Sequence, residues 1–341
     1  MSTFGILGLA HELGRAMSVE ELLGPDASDA ARRALAAKGY RRLYRADDGV
    51  GLTDLATAAA SAALANAGVE PGRVDLLVVA ITDLAEYLYW DVAAAVQARL
   101  GAHRAEAVLM GQACSAGVLA FDTVAGKFAT HPDYRTAVIV AANRVCEPYW
   151  DRAGTGTSIS SDGAAAAVLV RDHPDRRWLA TEVISDGRYA GFMKMDVGGT
   201  ARPFTAAEPD RPAVAGLADR LEEFFGGDGR AAYRFATTVQ ARNRTVLERA
   251  CDRIGTTIDD VARVVYLNDN RATFAELAAE LGIPLELTNQ ELALDHGHFG
   301  AADQIFCLER HLARGDLAAG DVVALMSTGS GMHWACSMLS I

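Results

Sequence analysis

The sequence has no paired cysteines from which to build a framework. Its five cysteines, Cys114, Cys146, Cys251, Cys307 and Cys336, are scattered and odd in number, with no C-x-x-C pair. That argues against disulfide staples and against a zinc site, so no metal is expected. A reducing cytoplasm is the simplest home for such a chain. Positive charge is also scarce: 32 Lys and Arg face 44 Asp and Glu, a formal net charge of −12. Nucleic acid and an anionic membrane surface are therefore disfavoured as partners, although local arginines can still meet small acidic ligands. No apolar run approaches a membrane-spanning length. The opening MSTFGILGLAHELG lacks a basic n-region and its apolar run is short, so it does not read as a signal peptide. Histidine is sparse as well, at eight in 341 residues. Two of the eight, His296 and His298, nevertheless flank one glycine in ALDHGHFGAAD at 293–303.

What is present is an alternation. Apolar runs at 74–82, 136–142, 164–170, 264–268 and 321–327 read as strands covered on both faces. Helical patterns lie between them at 53–67, 91–100, 115–129 and 272–282. This argues α/β layering. The chain is long for one core, and two domains or two fused halves are the expectation. AGVEPGRVDLLVVAITD at 67–83 and IGTTIDDVARVVYLNDN at 254–270 share one order: helix end, turn, acidic residue, strand, polar strand end. The polar, proline-containing RDHPDRR at 171–177 is the seam, dividing the chain into halves 1–170 and 171–341. Residues 186–212 read as loop.

In GQACSAGVLAFDTVAGKF (111–128) a cysteine stands at the junction of a strand-like segment and an apolar helix. At a helix N-terminus Cys114 meets the positive end of the dipole, which favours thiolate. Small neighbours permit a tight turn like a nucleophile elbow with Cys in place of Ser. The competing reading is a buried structural cysteine.

The motifs resemble the β-ketoacyl carrier-protein synthase III branch of the thiolase superfamily over almost the whole chain. FGILGLAHELG and RVDLLVVAITD resemble its first core strands, GQACSAGVLAF its nucleophile segment, SSDGAAAAVLV its G-D-G-A-G-A-A-V-L segment, and STGSGMHWACSMLSI its ending. The resemblance implies a thiolase-like fold of duplicated αβαβα layers with two mixed sheets. It also implies a Cys–His–Asn site, with Cys114 as nucleophile. The family's H-Q-A-N motif falls on YLNDNRATF (266–274), which puts Asn268 in the histidine's place. Its H-G-N-T-S-A-A-S motif falls on HGHFGAAD (296–303), which puts His298 in the asparagine's place. The two residue types are exchanged. His296 matches a histidine the family also carries, and a structural role suits it.

In the family's usual reaction both His and Asn donate to a developing enolate oxygen. Moving the imidazole departs from that arrangement but leaves a group suited to taking a proton near neutral pH. The expectation is a ping-pong acyl transfer. Cys114 attacks a thioester, the backbone N–H groups of Cys114 and Ser330 form the oxyanion hole by analogy, and His298 deprotonates an acceptor hydroxyl or amine. Asn268 or Asp269 would orient the imidazole, with Asp295 a weaker candidate. This pattern resembles a side-branch in natural-product pathways that acylates a heteroatom, such as the cervimycin malonyl-transfer enzyme, which esterifies a sugar. The alternative is a decarboxylative condensing enzyme; a non-catalytic partner subunit would have no reason to keep Cys114. No cofactor is expected, the co-substrate being a coenzyme A or acyl-carrier-protein thioester.

Tyr89 aligns with an aromatic that reaches across a dimer interface into the partner's acyl pocket, which implies a homodimer. Ordinary interface packing is the alternative. Trp90 and Asp91 replace smaller family residues and would reshape the pocket mouth. The family's carrier-protein arginine position is Thr273, for which Arg271 is the nearest substitute. Arg41, Arg42 and Arg45 are either phosphate ligands or solvated charges. His333 reads as a packed polar residue.

Overall fold

The apolar runs become the strands of a mixed sheet. The computed structural model describes residues 3–204 and 216–341. Its strands are β1 (Phe4–Leu13), β2 (Arg15–Ser18), β3 (Arg42–Arg45), β4 (Leu76–Ile81), β5 (Glu106–Met110) and β6 (Thr136–Asn143). They continue with β7 (Gly163–Arg171), β8 (Arg177–Ser185), β9 (Val261–Val265), β10 (Val322–Gly329) and β11 (His333–Ser340). Among the described residues nine strands join in the order β5-β4-β6-β7-β1-β8-β11-β10-β9, and β2 pairs with β3. The β5–β4–β6 pairings and the β9–β10 pairing are parallel, and the rest of the large sheet is antiparallel.

The first five strands in that order come from residues 4–171 and the last four from 177–340. The two groups meet through one residue pair, Gly5 with Arg177. A Cβ on Gly5 would sit 2.2 Å from the Asp175 carbonyl, so a side chain there would push the two groups apart. Two strand layers were expected, and here they are joined edge to edge. They still lie on opposite sides of two central helices, Ala116–Thr130 and Asp303–Arg314, whose core draws Val78 and Ala165 from one layer and Val323 and Ala335 from the other. Helices Leu52–Ala67 and Val92–Leu100 cover one outer face. Gly229–Ile254 and Arg271–Leu281 cover the other, completing the thiolase-like αβαβα order.

The internal echo has a structural counterpart. In each half a helix ends on a left-handed glycine, Gly68 or Gly255, followed by a 3-10 turn and then a parallel strand. One strand reading ran too far. β9 stops at Val265 rather than reaching Asn268, because side chains claim the backbone beyond it. Tyr266 N–H donates to Asn289 Oδ1 (2.8 Å) and Asn268 N–H to Asp303 Oδ2 (2.6 Å). In the stretch read as loop, Gly187–Tyr189 is a 3-10 turn, and 205–212 lies outside the described residues. Among the described residues no helix is long and apolar enough to cross a membrane, and no cluster of His, Cys, Asp or Glu could hold a metal ion.

Candidate active site

The elbow before the central helix is built locally. After β5 the chain turns at Ala113, whose φ of +48° is a strained value for a residue with a Cβ, and presents Cys114 in a single 3-10 turn. Ser115 Oγ–H closes the turn on the Gln112 carbonyl (2.7 Å), and Ser327 Oγ–H holds the Cys114 carbonyl (2.8 Å). The helix that follows buries Val118, Phe121, Val124 and Phe128, each worth about 1.5–3 kcal/mol, so the turn is mounted on a rigid element. Gly117 is required by contact: a Cβ there would lie 2.0 Å from the Ala301 carbonyl. That contact brings the head of this helix against the loop carrying His298.

His298 is fixed from both sides of its backbone. Its N–H donates to the Ile159 carbonyl (2.8 Å), and its carbonyl accepts from Ser161 N–H (2.8 Å). Its Nε2 lies 3.2 Å from Cys114 Sγ, and its Nδ1 lies 2.5 Å from Asp303 Oδ2. An ionised carboxylate only accepts, so Nδ1 carries the hydrogen and Nε2 faces the sulfur. Asp303 is fully buried and well satisfied, accepting also from Asn268 N–H (2.6 Å) and Phe299 N–H (2.7 Å). Burial alone would depress the His298 pKa. The charges of Asp303 and Cys114 and the hydrogen bonds to both outweigh it and raise that pKa well above the usual value.

The orienting group is therefore Asp303, and this corrects the expectation for Asn268, Asp269 and Asp295. Asn268 is fully buried, its amide donating to the Gly297 carbonyl (2.8 Å) and accepting from Asn289 (2.9 Å). Asp269 accepts from Thr157 Oγ1–H (2.9 Å), and Asp295 pairs with Arg41 (3.0 Å). The missed signal was the last residue of HGHFGAAD. There an aspartate stands where the resembled motif ends in serine, five residues after the imidazole.

Cys114, His298 and Ser330 open on one cavity of about 190 Å³, whose wall also includes Asp83, Trp150 and Lys194. Asn268 is not part of that wall. Tyr89 lies away from its own chain's cavity, fully exposed beside exposed Tyr87 and Leu88. His296 bonds the Leu292 carbonyl (2.9 Å) and stacks on Tyr44, a packing position. His333 bonds Ser185 (2.9 Å), outside the cavity. Arg45 is engaged by Glu147 (2.7 Å), and Arg271 packs against Gly39.

Comparison with known proteins agrees with this architecture. The sequence model described as 3-oxoacyl-[acyl-carrier-protein (ACP)] synthase III matches residues 110–187, and its C-terminal model matches 251–341. The chain is 32% identical over 288 residues to a β-ketoacyl-[acyl-carrier-protein] synthase III of Thermosynechococcus vestitus, covering 84% of this chain and 83% of that one. Among solved structures it is similar to 3-oxoacyl-(acyl carrier protein) synthase III of Pseudomonas aeruginosa PAO1 (TM-score 0.78, 27% identity, 99% and 98% of the two chains). It is also similar to a structure described as "ChlB3 [Aceyltransferase]" (TM-score 0.85, 24% identity, 100% and 98% of the two chains).

Proposed function

The chain belongs to the β-ketoacyl-[acyl-carrier-protein] synthase III family of the thiolase superfamily, and from that premise we propose that it transfers an acyl group to a heteroatom rather than joining two carbons. The acyl group comes from a coenzyme A or carrier-protein thioester and passes through acyl-Cys114 to a hydroxyl, or an amine, of a natural-product acceptor such as a sugar. One observation carries this reading. Decarboxylative condensation uses two side-chain donors on the enolate oxygen, and the residue in the second donor's place, Asn268, is not part of the cavity wall. The Asn268 amide is turned inward onto Gly297 and Asn289. What remains is an acylation and proton-transfer relay, Cys114–His298–Asp303.

The relay works in two strokes. Cys114 attacks as thiolate with its proton on His298 Nε2, and the backbone N–H groups of Cys114 and Ser330 serve the oxyanion. The donor thiol leaves with that proton. His298 is thereby returned to its neutral form, and acylation also removes the sulfur charge that helped raise its pKa, so the imidazole can deprotonate the acceptor. Malonyl thioesters are the first donors to test, because carbon dioxide release from them separates heteroatom transfer from condensation.

The second reading, decarboxylative condensation, has the curated relatives' names in its favour. The test follows carbon dioxide release from a malonyl thioester alongside product. Transfer without carbon dioxide is expected. Stoichiometric release would hand the case to the condensing enzyme.

We also propose a homodimer. β5 is a sheet edge with half-exposed Leu109, and exposed Tyr87, Leu88 and Tyr89 stand as an apolar patch on the loop after β4. A second copy over this region would bring Tyr89 to the partner's cavity. Light scattering at micromolar concentration should return twice the chain mass, and a stable monomer would rule the shared site out.

A further inference from the structure

Asp83 is a carboxylate in the wall of the Cys114 cavity that the relay does not use. Its oxygens accept from two backbone N–H groups, Leu84 (2.7 Å) and Cys146 (3.1 Å). A carboxylate offers about four acceptor sites, so capacity remains. Among the described residues no cation lies within ion-pairing distance of it. Nearby Arg152 is committed to Asp162 (2.8 Å) and Glu147 (2.7 Å), and Lys194, on the same wall, to Asp196 (3.3 Å). Burial pushes the Asp83 pKa up and the charge of Asp162 adds to this, while the two N–H bonds and the charge of Arg152 pull it part of the way back. Two other side-chain donors on the wall are occupied. Trp150 Nε1–H donates to Ser160 Oγ (3.1 Å) and the Asn143 amide to the Ser161 carbonyl (2.9 Å). The cavity thus holds an under-compensated negative charge beside the nucleophile.

We propose that Asp83 binds the acceptor, and that the acceptor is an amino alcohol whose ammonium pairs with Asp83 while its hydroxyl reaches the acyl carbon on Cys114. The inference rests on the heteroatom-transfer reading and narrows its acceptor. A cation compensates a partly desolvated carboxylate better than a neutral donor does. In the transfer step the acceptor oxygen bonds to the acyl carbon and the carbon–sulfur bond breaks. The hydroxyl proton passes to His298 Nε2 and on to the Cys114 sulfur, giving an ester and the free thiol.

Two alcohols of the same shape test this. 2-(Dimethylamino)ethanol is protonated near neutral pH and forms no stable amide, and 3-methyl-1-butanol replaces its ammonium by CH. Each is added to pre-acylated, desalted enzyme, with adduct loss followed by intact mass and ester by chromatography. A charge-assisted contact should favour the amino alcohol by about tenfold or more in wild type. In Asp83→Asn the ratio of the two rates should fall toward one. The ratio is taken within each protein, so a general loss of activity cancels, and the wild-type comparison stands if the variant does not fold. Equal rates in wild type, or a preference that survives in Asp83→Asn, would overturn the proposal. If neither alcohol discharges the acyl group faster than water, the heteroatom reading itself falls, and this inference with it.

Discussion

Cys114→Ala is expected to leave no acyl adduct on the protein with any thioester that labels the wild type. The reason lies in the other four thiols. Cys251, Cys307 and Cys336 are buried, and burial pushes the Cys251 thiol up to about 11 and those of Cys307 and Cys336 further above the usual value. A thiol held protonated is a poor nucleophile. Cys146 is half-buried but does not line the cavity. Only Cys114 combines access, an imidazole at 3.2 Å and a place at the head of an apolar helix. Intact-mass measurement with a panel of acyl thioesters, followed by peptide mapping, checks this. An undiminished adduct on the variant would end the covalent mechanism.

Much of this architecture was legible because burial on both faces leaves a plain mark. β6 and β7 are almost wholly buried and read as unbroken apolar runs. Where exposure mixes the pattern, the signal fades. β5 lies at the sheet edge, and β8 carries Arg177, Thr181 and Glu182 among its apolar residues, so neither stood out. The longest helix, Gly229–Ile254, is charge-rich over much of its surface and offered too narrow an apolar stripe. The facing pair Cys114 and His298 could be picked out because each sits in a family-like motif. The orienting carboxylate was not, because its partner depends on how the loop from Gly297 to Ala302 folds back. The expectation of Asn268 or Asp269 took the strand to run as far as residue 268, yet the chain has already left the strand there. Asn268 meets Asp303 through its backbone N–H, while its side chain points elsewhere.

Replacing His298 with asparagine should separate the two strokes of the relay. Loss of a general base costs ~10²–10⁴-fold, so transfer from acyl-Cys114 to the acceptor should slow by about that factor. Some self-acylation should survive, because Cys114 keeps its cavity-facing place at the head of the helix, and acyl-enzyme should then accumulate. The wild-type transfer rate should rise with pH, since only the neutral imidazole accepts a proton. Its midpoint reports the pKa of His298 in the acyl-enzyme, where the sulfur charge is gone but Asp303 still raises the value. Asp303→Asn removes that raising charge, so the midpoint should move toward acid. The rate should also fall by ~10²–10⁴-fold, because the imidazole loses the acceptor that fixes its tautomer and its aim. In His298→Asn the imidazole's midpoint should vanish altogether. Single-turnover kinetics on pre-acylated protein across pH distinguish these outcomes. A His298→Asn variant that transfers at the wild-type rate would remove His298 as the base. An Asp303→Asn midpoint that stays in place would remove Asp303 as the group that tunes it.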